Sequence, residues 1–319
     1  MSTDVLSDVL RAVRLTGAVY FSVDASAPFA AEALPAREVA PHVMPGVEHV
    51  LEYHLITRGS CWAGIVGEDP VLLHAGDIIV FPQGDPHVMS SAPGMRGRTS
   101  LDLHRRPVGS QLPFSLSEEG GGPRTQLVCG FLGCDARPFN PLLATLPRTL
   151  KVSAREGGGW LEALAALAVA ESTGRQTGGE CVLARASELM FVEVIRRYVA
   201  SLPPEQTGWL AGLRDPFVGR ALAALHDRPA QPWTVESLAK EAALSRSALA
   251  ERFAHLVGEA PMQYLTRWRM QLAATLLRTR AASVFEAAVE VGYASEAAFS
   301  RAFKKVVGVP PAAWREGRV

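Results

Sequence analysis

The sequence has few cysteines and no long hydrophobic run, and these two absences exclude several classes of protein. Four cysteines among 319 residues are too few for a disulfide scaffold, and no Cys-x-x-Cys pair indicates a structural zinc site. No run of about 18 apolar residues predicts a membrane helix, and the N-terminus MSTDVLSDVLRAVRL lacks the features of a signal peptide. We therefore expect a cytoplasmic protein with reduced thiols and no membrane partner.

An excess of one charge sign is also absent, because the formal net charge is zero. The balance hides an asymmetry, since the chain from Leu213 onward carries 15 Lys and Arg against 10 Asp and Glu. A modest basic excess permits nucleic-acid binding without indicating it, because many helical domains show as much. A length of 319 residues and a hydrophobic fraction of 48% predict two folded domains with separate cores.

The first half of the chain has the pattern of β-structure and the second half that of helices. Between residues 47 and 135, short strands such as VLEYHLIT and GDIIVF alternate with Gly, Pro and Asp turns, which is typical of a small barrel or sandwich. The Gly-rich stretch from Arg155 to Trp160 predicts a hinge. We predict an α+β protein with a β-barrel domain over 1–155, a helical linker over 156–212 and an all-α domain over 213–319.

The linker shows apolar residues at helical spacing and predicts two amphipathic helices. Their apolar face has two interpretations, packing on the chain's own barrel or forming a dimer seam, and the pattern favours neither. The oligomer that we expect is a homodimer. The apolar positions of the second helix include Leu183, Leu189, Met190, Val194 and Val199.

The C-terminal domain contains an internal repeat with an offset of fifty residues. In each copy a serine is placed to cap a helix, apolar residues at i+4, i+8 and i+11 form one buried stripe, and a glycine ends the helix. This pattern predicts a helix-turn-helix unit, whose second helix enters the major groove of DNA. The first copy has Ser245, Leu249, Phe253, Leu256, Gly258, Pro261 and Tyr264, and the second has Ser295, Phe299, Phe303, Val306, Gly308, Pro311 and Trp314.

Two such units joined by one helix, PMQYLTRWRMQLAATLLRTR, predict a pair of recognition helices about 34 Å apart, which is one turn of B-DNA. The stretch from Trp233 to Leu277 and the stretch VGYASEAAFSRAFKKVVGVPPAAWR closely resemble the DNA-binding domain of the AraC/XylS family of bacterial regulators. The resemblance covers the last third of the chain. It implies recognition helices from Arg246 to Val257 and from Glu296 to Val307, operator DNA as a partner, and RNA polymerase as a further candidate.

The family's pattern also implies which side chains reach the bases. Arg301 is suited to guanine and Glu251 to cytosine, whereas Arg267 and Arg269 are interpreted as phosphate ligands or solvated charges. Two positions depart from the family: Ala287 replaces a larger aliphatic residue, and Glu251 replaces a common basic one. The implied base contacts are Arg246, Ser247, Ala250, Glu251, Glu296, Ala297, Ala298 and Arg301, with Lys304 and Lys305 at phosphates.

The first half of the chain contains the segment GDIIVFPQGDPH, in which Gly76, Pro82, Gly84 and His87 have the spacing of the second sequence motif of cupin barrels. On this motif the first half resembles the cupin sensor domains attached to many AraC-type regulators. The resemblance spans about residues 4 to 152. It implies a barrel that binds a small-molecule effector, in a pocket formed by Glu52, His54, Trp62, His87 and His104.

Metal binding in this barrel is not expected from the motif. Metallo-cupins have two histidines followed by an acid in the first motif, whereas this chain has Glu52-Tyr53-His54 followed by Arg58-Gly59. A cation beside a divalent metal is unfavourable, so we predict neither metal nor cofactor. Cys129 and Cys134 lie five residues apart and face opposite sides of a continuous strand, which favours buried thiols over a redox pair.

Three functions are compatible with these patterns. The favoured one is a DNA-binding transcriptional regulator controlled by an effector in the barrel, which is not an enzyme. The second is a metal-dependent cupin enzyme with a helical appendage. The third is a constitutive DNA-binding protein whose barrel only dimerises.

Overall fold

A computed structural model describes residues 4–107, 109–153, 160–174, 176–279 and 282–317. The helices are α1 (Val5–Ala12), α2 (Ala36–Val43), α3 (Pro141–Thr145), α4 (Trp160–Gly174), α5 (Gly179–Ser201), α6 (Trp209–Arg214), α7 (Val218–Asp227), α8 (Val235–Glu241), α9 (Arg246–Val257), α10 (Pro261–Thr279), α11 (Val284–Glu290), α12 (Glu296–Val307) and α13 (Pro311–Arg315). The strands are β1 (Thr16–Ser26), β2 (Ala30–Glu32), β3 (His49–Arg58), β4 (Ser60–Ile65), β5 (Val71–His74), β6 (Asp77–Phe81), β7 (His87–Ser90), β8 (Phe114–Glu118), β9 (Arg124–Cys134) and β10 (Leu150–Ser153).

The chain forms two compact units whose limits differ from a simple division in sequence. The sheet unit contains residues 15–134 and 146–200, and the helical unit contains residues 4–14, 135–145 and 201–317. Two short stretches from the first half of the chain thus join the helical unit, and the helices of the expected linker join the sheet unit. Apart from Trp160, the predicted hinge lies outside the described residues.

The sheet unit consists of a six-stranded sheet in the order β10-β6-β3-β9-β1-β8 and a four-stranded sheet in the order β2-β7-β4-β5. Strands β3 and β9 pair antiparallel, so that His54 lies opposite Cys129. Because successive side chains alternate between faces, Val50 and Ile56 point into the core between the sheets together with Leu127 and Phe131. The expected mixed α+β class with a β-rich N-terminal half is confirmed.

Helix α5 packs on the outer face of the six-stranded sheet of its own unit. The hydroxyls of Tyr53 on β3 and Ser187 on α5 are 2.6 Å apart, and the Gly17 amide donates to Glu188 Oε1 at 3.2 Å. A Cβ on Gly17 would lie 2.6 Å from the Ala184 carbonyl oxygen, so the glycine permits this close approach. The buried stripe of α5 includes Leu183, Met190 and Val194 and covers the sheet, whereas Leu189 stays 48% exposed.

The helical unit contains both predicted helix-turn-helix units, α8 with α9 and α11 with α12. The two recognition helices begin and end at the residues that the sequence predicts. Ser245 and Ser295 accept hydrogen bonds from the amides of Ala248 and Ala298, and each helix ends at a glycine in the left-handed region. The buried stripes have Leu249 and Phe253 in the first copy and Phe299 and Phe303 in the second.

Helix α10 joins the two helix-turn-helix units and also carries the two stretches from the first half of the chain. Gln271, which is 1% exposed, donates from Nε2 to the Ala12 carbonyl at 2.9 Å and accepts from the Phe139 amide at 3.0 Å. Arg14 forms two hydrogen bonds with Asp135, of 2.7 and 2.6 Å, which tie the two stretches to each other. The buried amide of Gln271 thus contacts both stretches, and Thr275 and Arg278 of the same helix add a hydrogen bond to Ala12 and an ion pair with Asp135.

Among the described residues, none of the helices is both long enough and apolar enough to span a lipid bilayer.

Candidate DNA-binding surface and barrel cavity

The side chains predicted to contact bases lie on the outward face of α9 and α12. Arg246, Ser247 and Glu251 are exposed on α9, and Glu296, Ala297 and Arg301 are exposed on α12. Ala250 and Ala298 are half-buried, because each lies beside the buried stripe of its helix. The cap and the stripe fix the rotation of each helix, so its remaining face is available to a groove of DNA.

The basic residues around these helices fall into two groups. Lys304 and Lys305 are exposed in the last turns of α12, as expected for phosphate contacts. Arg269 is different, since its half-buried guanidinium donates to the carbonyls of Pro229 and Gln231 at 2.7 and 2.8 Å. Desolvation lowers the pKa of Arg269. Arg269 is therefore not a plain solvated charge, because it fixes the loop before α8, and its interpretation as a phosphate ligand stays a prediction.

Arg267 also has partners within the protein. Its guanidinium lies 3.2 Å from Glu259 and 4.2 Å from the centre of the Phe139 ring, while the side chain stays exposed. Burial raises the pKa of Glu259, and the nearby arginine opposes that shift. The cation–π contact holds Arg267 against the stretch 135–145 and the ion pair joins it to Glu259, while its interpretation as a phosphate ligand or solvated charge stays a prediction.

A cavity of about 140 Å³ lies between the two sheets. Its walls are mainly apolar, with Phe21, Phe29, Met89 and Phe131 among the lining residues. Charged side chains, Glu32, Arg98 and Glu118, also line it, and Arg98 and Glu118 are exposed. The result is an apolar chamber with a solvated mouth.

Four of the five predicted pocket residues line this chamber: Glu52, His54, His87 and His104. Trp62 is not among the described residues that line the chamber, so the prediction that Trp62 belongs to the pocket is wrong. Its neighbours Cys61 and Ala63 belong to the core between the sheets, and strand alternation therefore turns Trp62 to the other face. His104 lies apart from the other three polar residues, where its ring is 5.5 Å from that of Phe21.

Glu52, His54 and His87 form a buried cluster on the floor of the chamber. Glu52 and His54 are two residues apart on β3 and share its inner face, and His87 reaches them from β7 of the other sheet. The Nε2 atoms of the two histidines are 2.7 Å apart, and Glu52 Oε2 is 3.7 Å from His87 Nε2. Glu52 Oε1 is buried and has no hydrogen-bond partner among the described residues.

The second nitrogen of each imidazole ring is also engaged. His87 Nδ1 is 3.0 Å from the Asp85 carbonyl oxygen, which can only accept, so Nδ1 carries the proton. In the neutral ring His87 Nε2 then accepts from His54 Nε2–H. His54 Nδ1, 2.9 Å from Cys129 Sγ, accepts from the thiol. The cluster forms one chain of hydrogen bonds between neutral groups.

Burial governs the protonation of this cluster. Desolvation lowers the pKa of His87 to about 4 and holds that of His54 well below its usual value. Desolvation also raises the pKa of Glu52 to about 8 and that of the Cys129 thiol well above its ordinary range. At neutral pH the floor of the chamber therefore carries no charge.

The sequence does not place Cys129 in this site. In the sequence Cys129 stands out only as half of the pair with Cys134, and its thiol is buried and unbridged. Its role as a partner of His54 follows from the antiparallel register of β3 and β9, which the sequence does not fix. The available signal was the inward side of β9, where Leu127, Cys129 and Phe131 alternate.

The two halves of the chain match known protein families. Residues 4–200 match the cupin family, and residues 238–317 match a helix-turn-helix domain. An AraC-like transcription regulator of Streptomyces lividans is 35% identical over 274 residues, covering 84% of this chain and 87% of the relative. The HTH-type transcriptional regulator AlkR of Acinetobacter baylyi is 30% identical over 272 residues, covering 82% and 87%.

A solved structure, the DNA-binding domain of the transcriptional factor AdpA in complex with a target DNA, is 35% identical. It covers 32% of this chain and 92% of that one, with a TM-score of 0.31. The full-length relatives are transcription regulators, which makes this chain a regulator rather than an enzyme. The chain belongs to the AraC/XylS family of DNA-binding transcriptional regulators and carries a cupin-type N-terminal domain.

Proposed function

We propose that the chain regulates transcription in response to a small molecule bound in the chamber between the two sheets. The observation that carries the proposal is the combination of two outward-facing recognition helices with an apolar chamber that ends on a polar floor. The base contacts are those named on α9 and α12, with Arg301 as the principal reader of guanine. The DNA partner is an operator with two major-groove contacts per chain.

The chamber restricts the chemistry of the effector. A cavity of about 150 Å³ lined by apolar side chains holds a molecule as small as benzene, and the chamber is of similar volume. Its apolar walls favour an aromatic or short aliphatic molecule, with at most one polar group directed at the floor. Larger effectors would require the sheets to separate or the mouth to open.

The route of the chain supports a mechanism for the response. Strands β1 and β9 contribute lining residues, among them Phe21 and Phe131, and each strand is continuous with a stretch that docks on α10. Arg14 stands two residues before β1, and Asp135 directly follows β9. An effector that displaces these strands would change the hydrogen bonds by which Gln271 contacts both stretches. Since α10 joins the two recognition units, a shift between two arrangements of these stretches would change how DNA is read.

The proposal includes a cytoplasmic homodimer. Helices α4 and α5 keep apolar side chains exposed after packing on the sheet, namely Leu167, Val182 and Leu189. These residues offer a face for a second copy. For RNA polymerase, an exposed apolar pair on α11, Phe285 and Val289, is the surface where a contact would be sought.

Selection of bound fragments from genomic DNA by the full chain, with and without a panel of small aromatic and aliphatic compounds, tests the proposal. We expect one enriched operator with two recognition sites one helical turn apart, and a compound that both raises the melting temperature and changes operator affinity. Enrichment without any responsive compound would favour a constitutive DNA-binding protein. Absence of sequence enrichment would overturn the proposal.

A further inference from the structure

We propose that residues 135–140 form a bridging loop that sets the position of the two recognition helices relative to each other, with Asp135 and Phe139 as the positioning residues. The bridging loop lies in the helical unit, together with α10 and both helix-turn-helix units. The inference rests on the proposed reading of one operator by both helix-turn-helix units, and it adds the side chains that hold the two readers in place.

One end of the bridging loop contacts the first helix-turn-helix unit through an aromatic ring. The ring of Phe139, which is 3% exposed, lies edge-on to the ring of Tyr264, with the ring centres 5.4 Å apart. The ring of Tyr264 lies edge-on to that of Phe253 on α9, with the centres 5.8 Å apart. Aromatic pairs favour such edge-to-face arrangements over other orientations. Phe139 therefore reaches the buried face of the first recognition helix through one intervening ring.

The other end of the bridging loop contacts the second helix-turn-helix unit through an ion pair. Arg278, in the last turn of α10, has Nη1 at 3.7 Å from Oδ1 of the buried Asp135. The guanidinium carbon of Arg278 also lies 3.8 Å from the centre of the Trp314 ring, which is a cation–π contact. The ring of Trp314 lies edge-on to that of Phe303 on α12, with the centres 6.2 Å apart. Asp135 therefore reaches the buried face of the second recognition helix through one arginine and one ring.

The two contacts fall at equivalent positions of the internal repeat. Tyr264 and Trp314 are fifty residues apart, and so are Phe253 and Phe303. Tyr264 is 0% exposed and Trp314 is 1% exposed, so a contact on either ring acts on the packing beneath a recognition helix. One short loop thus bears on the same point of both copies.

The bridging loop has internal and external contacts that keep its two anchors at a fixed separation. Asn140 donates from Nδ2 to the Asp135 carbonyl at 2.9 Å, which closes the loop on itself. The Phe139 amide donates to Gln271 Oε1 at 3.0 Å, so the middle of the loop is attached to α10 between the two helix-turn-helix units. A loop fixed in this way resists a change in the angle between the units.

The relative position of the two readers decides how much a second recognition site adds to affinity. Linked binding modules gain from a second site only as far as their geometry lets both engage at once. The recognition sites of the proposed operator lie one helical turn of DNA apart, so a small rotation of one reader would misplace it. Helix α10 is one connection between the units, and the bridging loop is a second connection that restricts rotation about the first.

The test measures binding of the full chain to three duplexes, namely the operator selected by the wild type and two copies in which either recognition site is scrambled. Arg278→Met keeps a long side chain beside Trp314 but loses the pair with Asp135, and Phe139→Leu removes the ring that contacts Tyr264. We expect both variants to bind each one-site duplex within about twofold of the wild type, because each unit stays folded. The extra affinity for the two-site duplex should fall by about fivefold or more, which is the lower limit of typical coupling between sites.

Spacing gives a second readout, which a change in fold alone would not move. A base pair inserted between the two recognition sites should weaken binding by the wild type more than binding by Arg278→Met or Phe139→Leu, because a looser pair of readers tolerates the altered spacing. Arg278→Lys keeps a cation beside Asp135 and should retain most of the two-site advantage. Arg11→Met makes the same change at an exposed arginine of α1 and should bind as the wild type does.

The outcomes separate this inference from the proposed function. If the wild type gains nothing from the second site, the two-site reading and the role of the bridging loop both fail. If the wild type gains and both variants gain equally, with the same response to the inserted base pair, only the role of the bridging loop fails. Loss of binding by Arg278→Met to the duplex that keeps only the second site would also overturn it, since Arg278 would then maintain the fold of that unit alone.

Discussion

Glu52 and Gln271 are both buried polar side chains, but their surroundings give them different roles. Gln271 uses its amide to donate to Ala12 and to accept from Phe139. Glu52 keeps one carboxyl oxygen without a partner among the described residues, in a chamber that opens toward solvent. A satisfied buried group fixes the fold, whereas an unsatisfied one beside a cavity indicates a ligand.

Two exposed cations on α12 should differ in what they contribute to DNA binding. Arg301→Ala should cost about 1 to 3 kcal/mol and relax the preference at one base pair, because a bidentate contact with guanine is lost. Lys305→Ala should weaken binding to all DNA sequences nearly equally. It should also reduce by about one the slope of the logarithm of affinity against the logarithm of salt concentration. Binding isotherms on operator variants at several salt concentrations measure both effects. An unchanged base preference in Arg301→Ala would remove that residue from the readers.

His226 should make the helical unit sensitive to acid. Burial against Trp268 lowers its pKa from 6.5 to about 3, and its Nε2 lies 2.8 Å from the Tyr264 hydroxyl. Below pH 6.5 the unfolded chain binds a proton that the folded chain refuses, so stability falls as the pH drops from 6.5 toward 3. The slope cannot exceed about 1.4 kcal/mol per pH unit, because the unfolded state binds only one more proton at this residue than the folded state does.

Urea unfolding between pH 7 and pH 4 measures this contribution. His226→Gln keeps a polar group beside Tyr264 but cannot bind the proton, so the free energy of unfolding should depend less on pH in this variant. His255→Gln, at an exposed histidine of the same unit, should leave the curve as it is in the wild type. Parallel curves for the wild type and His226→Gln would contradict the assignment.

At the scale of elements, the turns of the two helix-turn-helix copies differ in the residue that adopts a positive φ. The first turn has Ala243 in the left-handed region at φ 55°, and the longer second turn has Gly292 at φ 83°. A Cβ at Gly292 would lie 2.3 Å from the Ala230 carbonyl oxygen, whereas the glycine that ends α12, Gly308, has open space around it. Glycine is thus favoured at position 292 both by the positive φ and by the close approach of the Ala230 carbonyl.

Gly292→Ala should therefore destabilise the helical unit more than Gly308→Ala. Both variants place alanine at a positive φ, which costs about 1 to 2 kcal/mol. Only Gly292→Ala also drives a methyl group into the backbone of Ala230, so its loss of unfolding free energy should be larger. Equal losses in chemical denaturation would show that the loop around Ala230 moves aside.

The same elements show how far the sequence predicts the fold. The recognition helices were predicted to the residue, because serine caps and terminal glycines are local signals. The partner of α1 was not predicted, since its docking on α10 depends on contacts far apart in sequence. Trp62 and Cys129 show the same limit in the barrel, where strand register decides which side chains reach the chamber.

For the whole molecule, the path of the chain between the two compact units matters to the fold as much as the limits of the units do. The chain passes between the sheet unit and the helical unit four times, at 14/15, 134/135, 145/146 and 200/201. The stretches 4–14 and 135–145 bury Val5, Val9 and Phe139 in the helical unit. A fragment that begins after residue 200 would lack part of this core. The cupin match over 4–200 and the compact units thus divide the chain differently.

The hold of α10 on these two stretches is open to a direct test through Gln271. Gln271→Met keeps the length of the side chain. The Ala12 carbonyl loses one hydrogen bond but keeps that from Thr275, whereas the Phe139 amide loses its partner, at a cost of about 1 to 3 kcal/mol. Amide exchange should accelerate in 4–14 and 135–145 while the amides of α12 stay protected. Gln263→Met, at an exposed position of the same helix, is the control.

If the two stretches carry the effector signal, Gln271→Met should still bind the operator but should respond less to the compound that shifts wild-type affinity. The reason is that coupling equals the difference in effector affinity between the two arrangements, and loosening both stretches reduces that difference. Operator isotherms with and without the compound measure the coupling for both variants. A full response in Gln271→Met, despite faster exchange in both stretches, would show that the signal reaches DNA by another part of the chain.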